Sequence, residues 1–182
     1  MAALPFDETK LSAEDHALYA AMKAKRAAAE APFYGPYLAL MNHPHLTEKI
    51  EALGYYLKFE GRLPRNVYQY VVLRAARACD VPFEWVDHVA HARAAGMPDQ
   101  VIEAVRTRAA IALPEPYATA EPVVAAALAW QNIPEAAQDR AIALFGREGL
   151  VELVVLSGFY QMFAAINQGF AVPLAPGIAR PF

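Results

Sequence analysis

The stretch RNVYQYVVLRAARACDVPFEWVDHVAHARAAG, residues 65–96, decides how this chain folds. Residues 65–78 carry Val67, Tyr68, Val71, Val72, Leu73, Ala75 and Ala76, apolar on nearly every side. A helix with that pattern is buried on most of its faces. Asp80-Val81-Pro82 then restarts the chain, because proline suits the first turn of a helix and disrupts its interior. The helix that follows stops near Gly96, a natural C-terminal cap.

The same punctuation divides the rest of the chain. Ser12 and Asp15 resemble a capping box, and a helix is expected from there to about residue 30, with Lys23, Lys25, Arg26 and Glu30 on its polar face. Residues 31–36 are a break, a short apolar helix covers 37–41, and Asn42-His43-Pro44 is a turn. Over 45–59 the apolar residues Leu46, Ile50, Leu53, Tyr56 and Leu57 recur on one helical face. Pro98 opens a helix to about 112, Pro114-Glu115-Pro116 is a linker, and 119–130, 134–145 and 148–169 read as three more helices. No stretch alternates as a strand does, so the expectation is an all-α fold of about seven to nine helices. The similarity of residues 69–73 to residues 152–156 reads as shared helix packing rather than duplication.

The chain has 182 residues, which suits one domain, and 57% of them are apolar, with alanine prominent. Such an excess suggests that sister subunits cover part of the surface. A net charge of -3 and the lack of a Lys/Arg cluster argue against nucleic acid. No apolar run approaches the ~18–20 residues that span a bilayer. The N-terminus lacks the pattern of an export signal. The single Cys79 rules out an intrachain disulfide or a C-x-x-C pair. A cytoplasmic location follows as the expectation.

Candidate chemistry centres on Phe83-Glu84-Trp85-Val86-Asp87-His88. Glu84 and His88 stand four apart and share a helical face. A carboxylate beside an imidazole is expected to raise the imidazole pKa and fix its orientation, which suits proton transfer near neutral pH. Phe83 and Trp85 could wall an apolar pocket, and His91 extends the stripe. The bland alternative is an intrahelical pair at a subunit contact. The pattern is neither H-E-x-x-H nor the paired E-x-x-H of di-iron bundles, so no metal and no cofactor are expected. His43 and His45 lie in a turn that could line a pocket mouth. Cys79 reads as a small core residue, and Ser157 lacks a nucleophile context.

Residues 69–96 resemble the signature of the carboxymuconolactone decarboxylase and alkylhydroperoxidase-like superfamily. Its disulfide-reducing members carry a glutamate, two cysteines and a histidine at successive offsets that fall here on Gln69, Val81, Glu84 and His88. Only the histidine is retained in kind. A thiol-free branch with Tyr/Phe-Glu-Trp-x-x-His is more similar, and the Asn42-His43-Pro44 turn, Gly96-Met-Pro98 and the helix around Leu150–Tyr160 also match it.

The resemblance implies a single domain of alkylhydroperoxidase-like type. Its core would span about 42–172, with a helical extension over 1–41 and an extended tail over 173–182. It also implies homo-oligomers, often trimers or hexamers, with pockets near subunit interfaces. Thiol peroxidase chemistry has no cysteine pair to run on. What is left is decarboxylase-like lyase chemistry on a small organic acid or lactone, of the kind used in bacterial small-molecule catabolism. In that reading His88 is the general acid/base, Glu84 orients it, and Gln69 bonds a substrate oxygen. Trp85, Phe83, His43 and Tyr160 contact the substrate. The alternative is a non-catalytic or ligand-binding oligomeric member.

Overall fold

A computed structural model describes residues 3–182. Met1 and Ala2, which open the segment read above for an export signal, lie outside them. The described residues form eight α-helices and no strand. They are α1 (Ala13–Ala28), α2 (Pro36–Leu40), α3 (Pro44–Tyr55), α4 (Arg65–Ala78), α5 (Pro82–Ala94), α6 (Asp99–Thr107), α7 (Tyr117–Leu128) and α8 (Glu135–Gly169). A π-helical turn, Tyr56–Glu60, prolongs α3.

The punctuation read from the sequence explains most of these bounds. Ser12 Oγ accepts the Asp15 N–H at 3.1 Å and caps α1. His43 caps α3 ahead of Pro44. The two helices expected around residues 146–147 run on as α8, broken at Gly146, whose φ of 74° lies outside the helical region. Helix α6 stops at Thr107, short of the expected 112. Arg108 turns left-handed at φ 59°, and the Ala109 N–H closes back on the Ala104 carbonyl. The Arg108 side chain holds that turn by donating to the Arg77 carbonyl at 2.9 Å.

Helix α4 is the centre of the fold. Val67, Val71, Val72, Leu73 and Ala75 are completely buried, and α5, α6, α7 and α8 pack around them. A smaller cluster of Tyr19, Met22 and Met41 fastens α1 to the start of the α2–α3 segment. Helix α8 is long and apolar enough to cross a membrane by length and composition, which the sequence reading did not anticipate. Half of its most apolar window is nevertheless buried inside the fold, as befits a core helix.

One buried carboxylate fixes the entry to α4. Glu152 of α8 accepts the Arg62 N–H at 2.8 Å and the Leu63 N–H at 3.1 Å, across 90 residues of sequence. These donors precede a helix that begins after Pro64, so no intrahelical carbonyl serves them. Replacing Glu152 with alanine leaves them without the carboxylate acceptor, at a cost of about 1–3 kcal/mol. Urea unfolding of Glu152→Ala beside the parent is expected to show that loss with little change in m-value.

Candidate functional site

Helix α5 presents one face to a small cavity and the other to the core. Phe83, Glu84, Asp87 and His88 line the cavity, at helical spacings that put them on one side. Trp85 lies off that side. Its ring is buried in the core and meets Phe182 edge-on at 5.6 Å, so the expected place for Trp85 on the pocket wall is corrected. Phe182 thus buttresses the back of the site helix. His43, also expected at the pocket, is exposed and does not line the cavity. Its ring is taken up capping α3, with Nδ1 3.4 Å from the Leu46 N–H.

His88 is buried, and both ring nitrogens have neighbours. Gln69 of α4 places Oε1 2.9 Å from Nδ1. A carbonyl oxygen only accepts, so Nδ1 carries the proton and Nε2 of the neutral ring is bare. Tyr160 of α8 donates its hydroxyl to Nε2 at 3.2 Å. Tyr68 of α4 in turn donates to the Tyr160 oxygen at 2.8 Å. The result is a buried chain, Tyr68–Tyr160–His88–Gln69, that ties α4, α5 and α8 together. Gln69 therefore serves the imidazole, and not the substrate oxygen it was expected to meet.

Glu84 is not the group that orients His88. Its Oε2 is 3.9 Å from Nε2, beyond a hydrogen bond. Its Oε1 instead accepts from Asn167 Nδ2 at 2.7 Å. Burial pushes the Glu84 carboxyl up to about 7, against the opposing pull of Asn167 and Lys58. The expectation that a carboxylate would raise the His88 pKa is reversed. Burial drives it well below the ordinary 6.5, and Lys58, His91, Arg65 and Arg26 drive it the same way. His88 is thereby kept neutral at neutral pH, and Glu84 titrates there. Burial likewise pushes the Tyr160 hydroxyl well above its ordinary range, so it remains a donor.

The cavity measures about 50 Å³. Tyr34 and Phe83 stand at one side with ring centroids 5.7 Å apart, and the Tyr34 hydroxyl donates to Asp87. Gly35, at φ 61°, lets the chain pass there, because a Cβ would fall on the Phe83 ring. Gly54 does similar work on α3, where a Cβ would sit 2.8 Å from Phe159 and 2.9 Å from the Tyr37 hydroxyl. Arg26 and Lys58 complete the wall.

The sequence reading passed over Tyr68, Arg26, Lys58 and Asn167. Tyr68 adjoins Gln69, but its pairing with Tyr160 spans 92 residues. Asp87 was within reach, since residues 83, 84, 87 and 88 already define the face. Cys79 caps α4 outside the cavity wall, and burial together with Asp80 raises its thiol pKa. Among the described residues no group of three or more His, Cys, Asp or Glu side chains could hold a metal ion.

Comparison with known proteins adds one finding. Residues 44–132 match the family model described as the Carboxymuconolactone decarboxylase family. No curated protein and no solved structure gives a match. The matched segment contains α4 and α5, and so Gln69, Glu84 and His88, while Arg26 and Tyr160 come from either side of it. The match over residues 44–132 supports placing this all-helical chain with the carboxymuconolactone decarboxylase and alkylhydroperoxidase-like superfamily.

Proposed function

We propose that the cavity is the active site of a thiol-free, decarboxylase-like enzyme that performs acid/base chemistry on a small organic acid or lactone. The observation that carries this reading is the pairing of two opposed groups in one enclosed space. His88 is a neutral imidazole with a bare Nε2, and Glu84 is a carboxyl that titrates near 7, with 3.9 Å between them. Burial moves Glu84 up to about 7, where a carboxyl can donate a proton, and keeps His88 unprotonated, as a base must be.

Loss of carbon dioxide leaves an electron pair on the substrate carbon. The protonated Glu84 carboxyl supplies the proton that quenches it, and the resulting carboxylate regains a proton from water. His88 Nε2 is the base wherever the substrate must first lose a proton. Tyr160 turns its one hydroxyl proton from Nε2 to a substrate oxygen when His88 acts as the base, and Phe83 closes the apolar side. This arrangement exchanges the roles that spacing alone suggested, because Glu84 becomes the proton donor and His88 the base.

The same reading takes the chain as a cytoplasmic homo-oligomer. Leu53 and Tyr56 on the α3 side and Val151 and Val155 on α8 line one apolar groove and are all exposed, Val151 at 60%. Such a patch suits a second copy of the chain.

Two outcomes are expected. On any lactone or keto acid that the parent turns over, His88→Ala should lower kcat by about 10²–10⁴-fold; a parental rate would refute the role of His88. Glu84 gives a test that needs no substrate. Its folded-state pKa lies above the ordinary 4.5, so the stability associated with its neutral form is complete below 4.5 and is lost as pH rises through about 7. Glu84→Gln stays neutral throughout and keeps an acceptor for Asn167. The stability of the parent relative to Glu84→Gln should therefore fall between those pH values, by on the order of 3 kcal/mol, and level off above. A pH-independent difference in chemical denaturation would contradict this.

A further inference from the structure

Two cations line the cavity, and they come from distant parts of the chain. Arg26 lies in the last turn of α1, ahead of the family-matched segment, and Lys58 lies in the π-helical turn after α3. A π turn is rare and recurs at functional sites. Residues 51, 54 and 58 share one face, where the bare Gly54 lets α3 approach Phe159 and the Tyr37 hydroxyl closely. That face carries Glu51 and Lys58 toward Arg26.

The Arg26 guanidinium is nine-tenths buried and lies over the Tyr37 ring at 4.4 Å. Its Nη1 stands 4.0 Å from Glu51 Oε1, too far for a hydrogen bond. Glu51 is shared with Lys25, whose Nζ lies 3.5 Å away. Arg26 Nε is buried with no hydrogen-bond acceptor. A buried charged donor left in that condition is costly and signals an absent partner. Lys58 points the same way. Burial, then Arg26 and Arg65, hold its ammonium down to about 8. The nearby Glu84 offers limited compensation, since it is protonated in about half the molecules at neutral pH. Asp87, the other carboxylate of the wall, accepts from the Tyr34 hydroxyl, and Glu51 Oε1 is itself left without a hydrogen bond, so neither gives Arg26 Nε an acceptor.

We propose that Arg26 and Lys58 form an anion subsite that grips the carboxylate of a short-chain acid and leaves its neighbouring carbon facing Glu84 and His88. The assignment rests on the reading of the cavity as an active site. A carboxylate held by two cations is stabilised as the ground-state anion and is a poor group to expel. The gripped group is therefore a spectator that positions the ligand, and the reaction takes place on the rest of the molecule. The cavity, at about 50 Å³, offers roughly three to five water-sized positions at ~10–15 Å³ each. That space takes roughly three to five heavy atoms of the ligand, its carboxylate and the one or two carbons beside it. On this account the helical extension supplies a specificity residue that the matched domain lacks.

The test is an NMR titration of the full ¹⁵N-labelled chain with sodium acetate and, separately, with its neutral isostere acetamide, at constant ionic strength. Acetate should shift the Arg26 Nε resonance and the Gly54–Lys58 amides, and acetamide should not. Arg26→Gln and Lys58→Met should each weaken acetate binding by about tenfold or more, with Arg26→Lys recovering part of the loss. Lys49→Met, on the exposed surface of α3 away from the cavity, should bind acetate as the parent does. Thermal melts check folding, and should Arg26→Gln fail to fold, Lys58→Met decides alone. Equal shifts with acetate and acetamide, no shift with acetate, or parental acetate binding in Lys58→Met would overturn the subsite. Parental turnover in His88→Ala, together with Lys58-dependent acetate binding, would instead overturn the active-site reading and leave the anion subsite standing.

Discussion

An imidazole can be buried where α4, α5 and α8 meet only because both of its nitrogens have partners there. Gln69 takes the Nδ1 proton and Tyr160 reaches Nε2, so the ring fills a polar position in the core without an orphaned group. Tyr68 extends the chain by one more hydroxyl. Remove any member and a buried polar atom loses its partner, which makes the network both a structural joint and a means of holding one tautomer. The same burial that demands these partners sets the chemistry. It disfavours charge on His88 and on Glu84 alike, and it leaves an unprotonated imidazole beside a carboxyl that titrates near neutral pH.

The helices themselves were legible because they depend on local rules. Pro64, Pro82 and Gly96 mark the limits of α4 and α5, and the apolar run of α4 announced a core helix. The site was legible in part. Spacing placed Glu84 and His88 on one face, and resemblance singled out Gln69. What spacing could not supply was the third dimension. Trp85 belongs to the opposite side of the same helix, and His43 is committed to a cap, so neither reaches the cavity. The sign of the His88 shift also escaped. A pairwise view counts the carboxylate four residues away, whereas the fold buries the ring and sets cations from distant parts of the chain around it. Arg26, Lys58 and Asn167 lie at sequence separations that no local pattern connects.

The site is assembled from three parts of the chain. The matched domain provides α4 and α5, the following helix α8 provides Tyr160 and Asn167, and the preceding helix α1 provides Arg26. This division explains why the domain signature alone says little about the ligand. Glu84 and His88 are anchored between core helices, while Arg26, one of the two cations of the proposed subsite, comes from the extension. Cys79 takes no part in this arrangement, since it lies outside the cavity wall and burial keeps its thiol protonated.

The contacts of His88 make it a neutral imidazole with the proton on Nδ1 and an unprotonated Nε2 that accepts from Tyr160. ¹⁵N NMR of the labelled histidine ring, followed across its ordinary pKa of 6.5, tests this directly. A protonated Nδ1 and an unprotonated Nε2, with both shifts unchanged as the pH passes 6.5, are predicted. Protonation of both nitrogens with a midpoint at or above 6.5, or a proton resident on Nε2, would contradict the account.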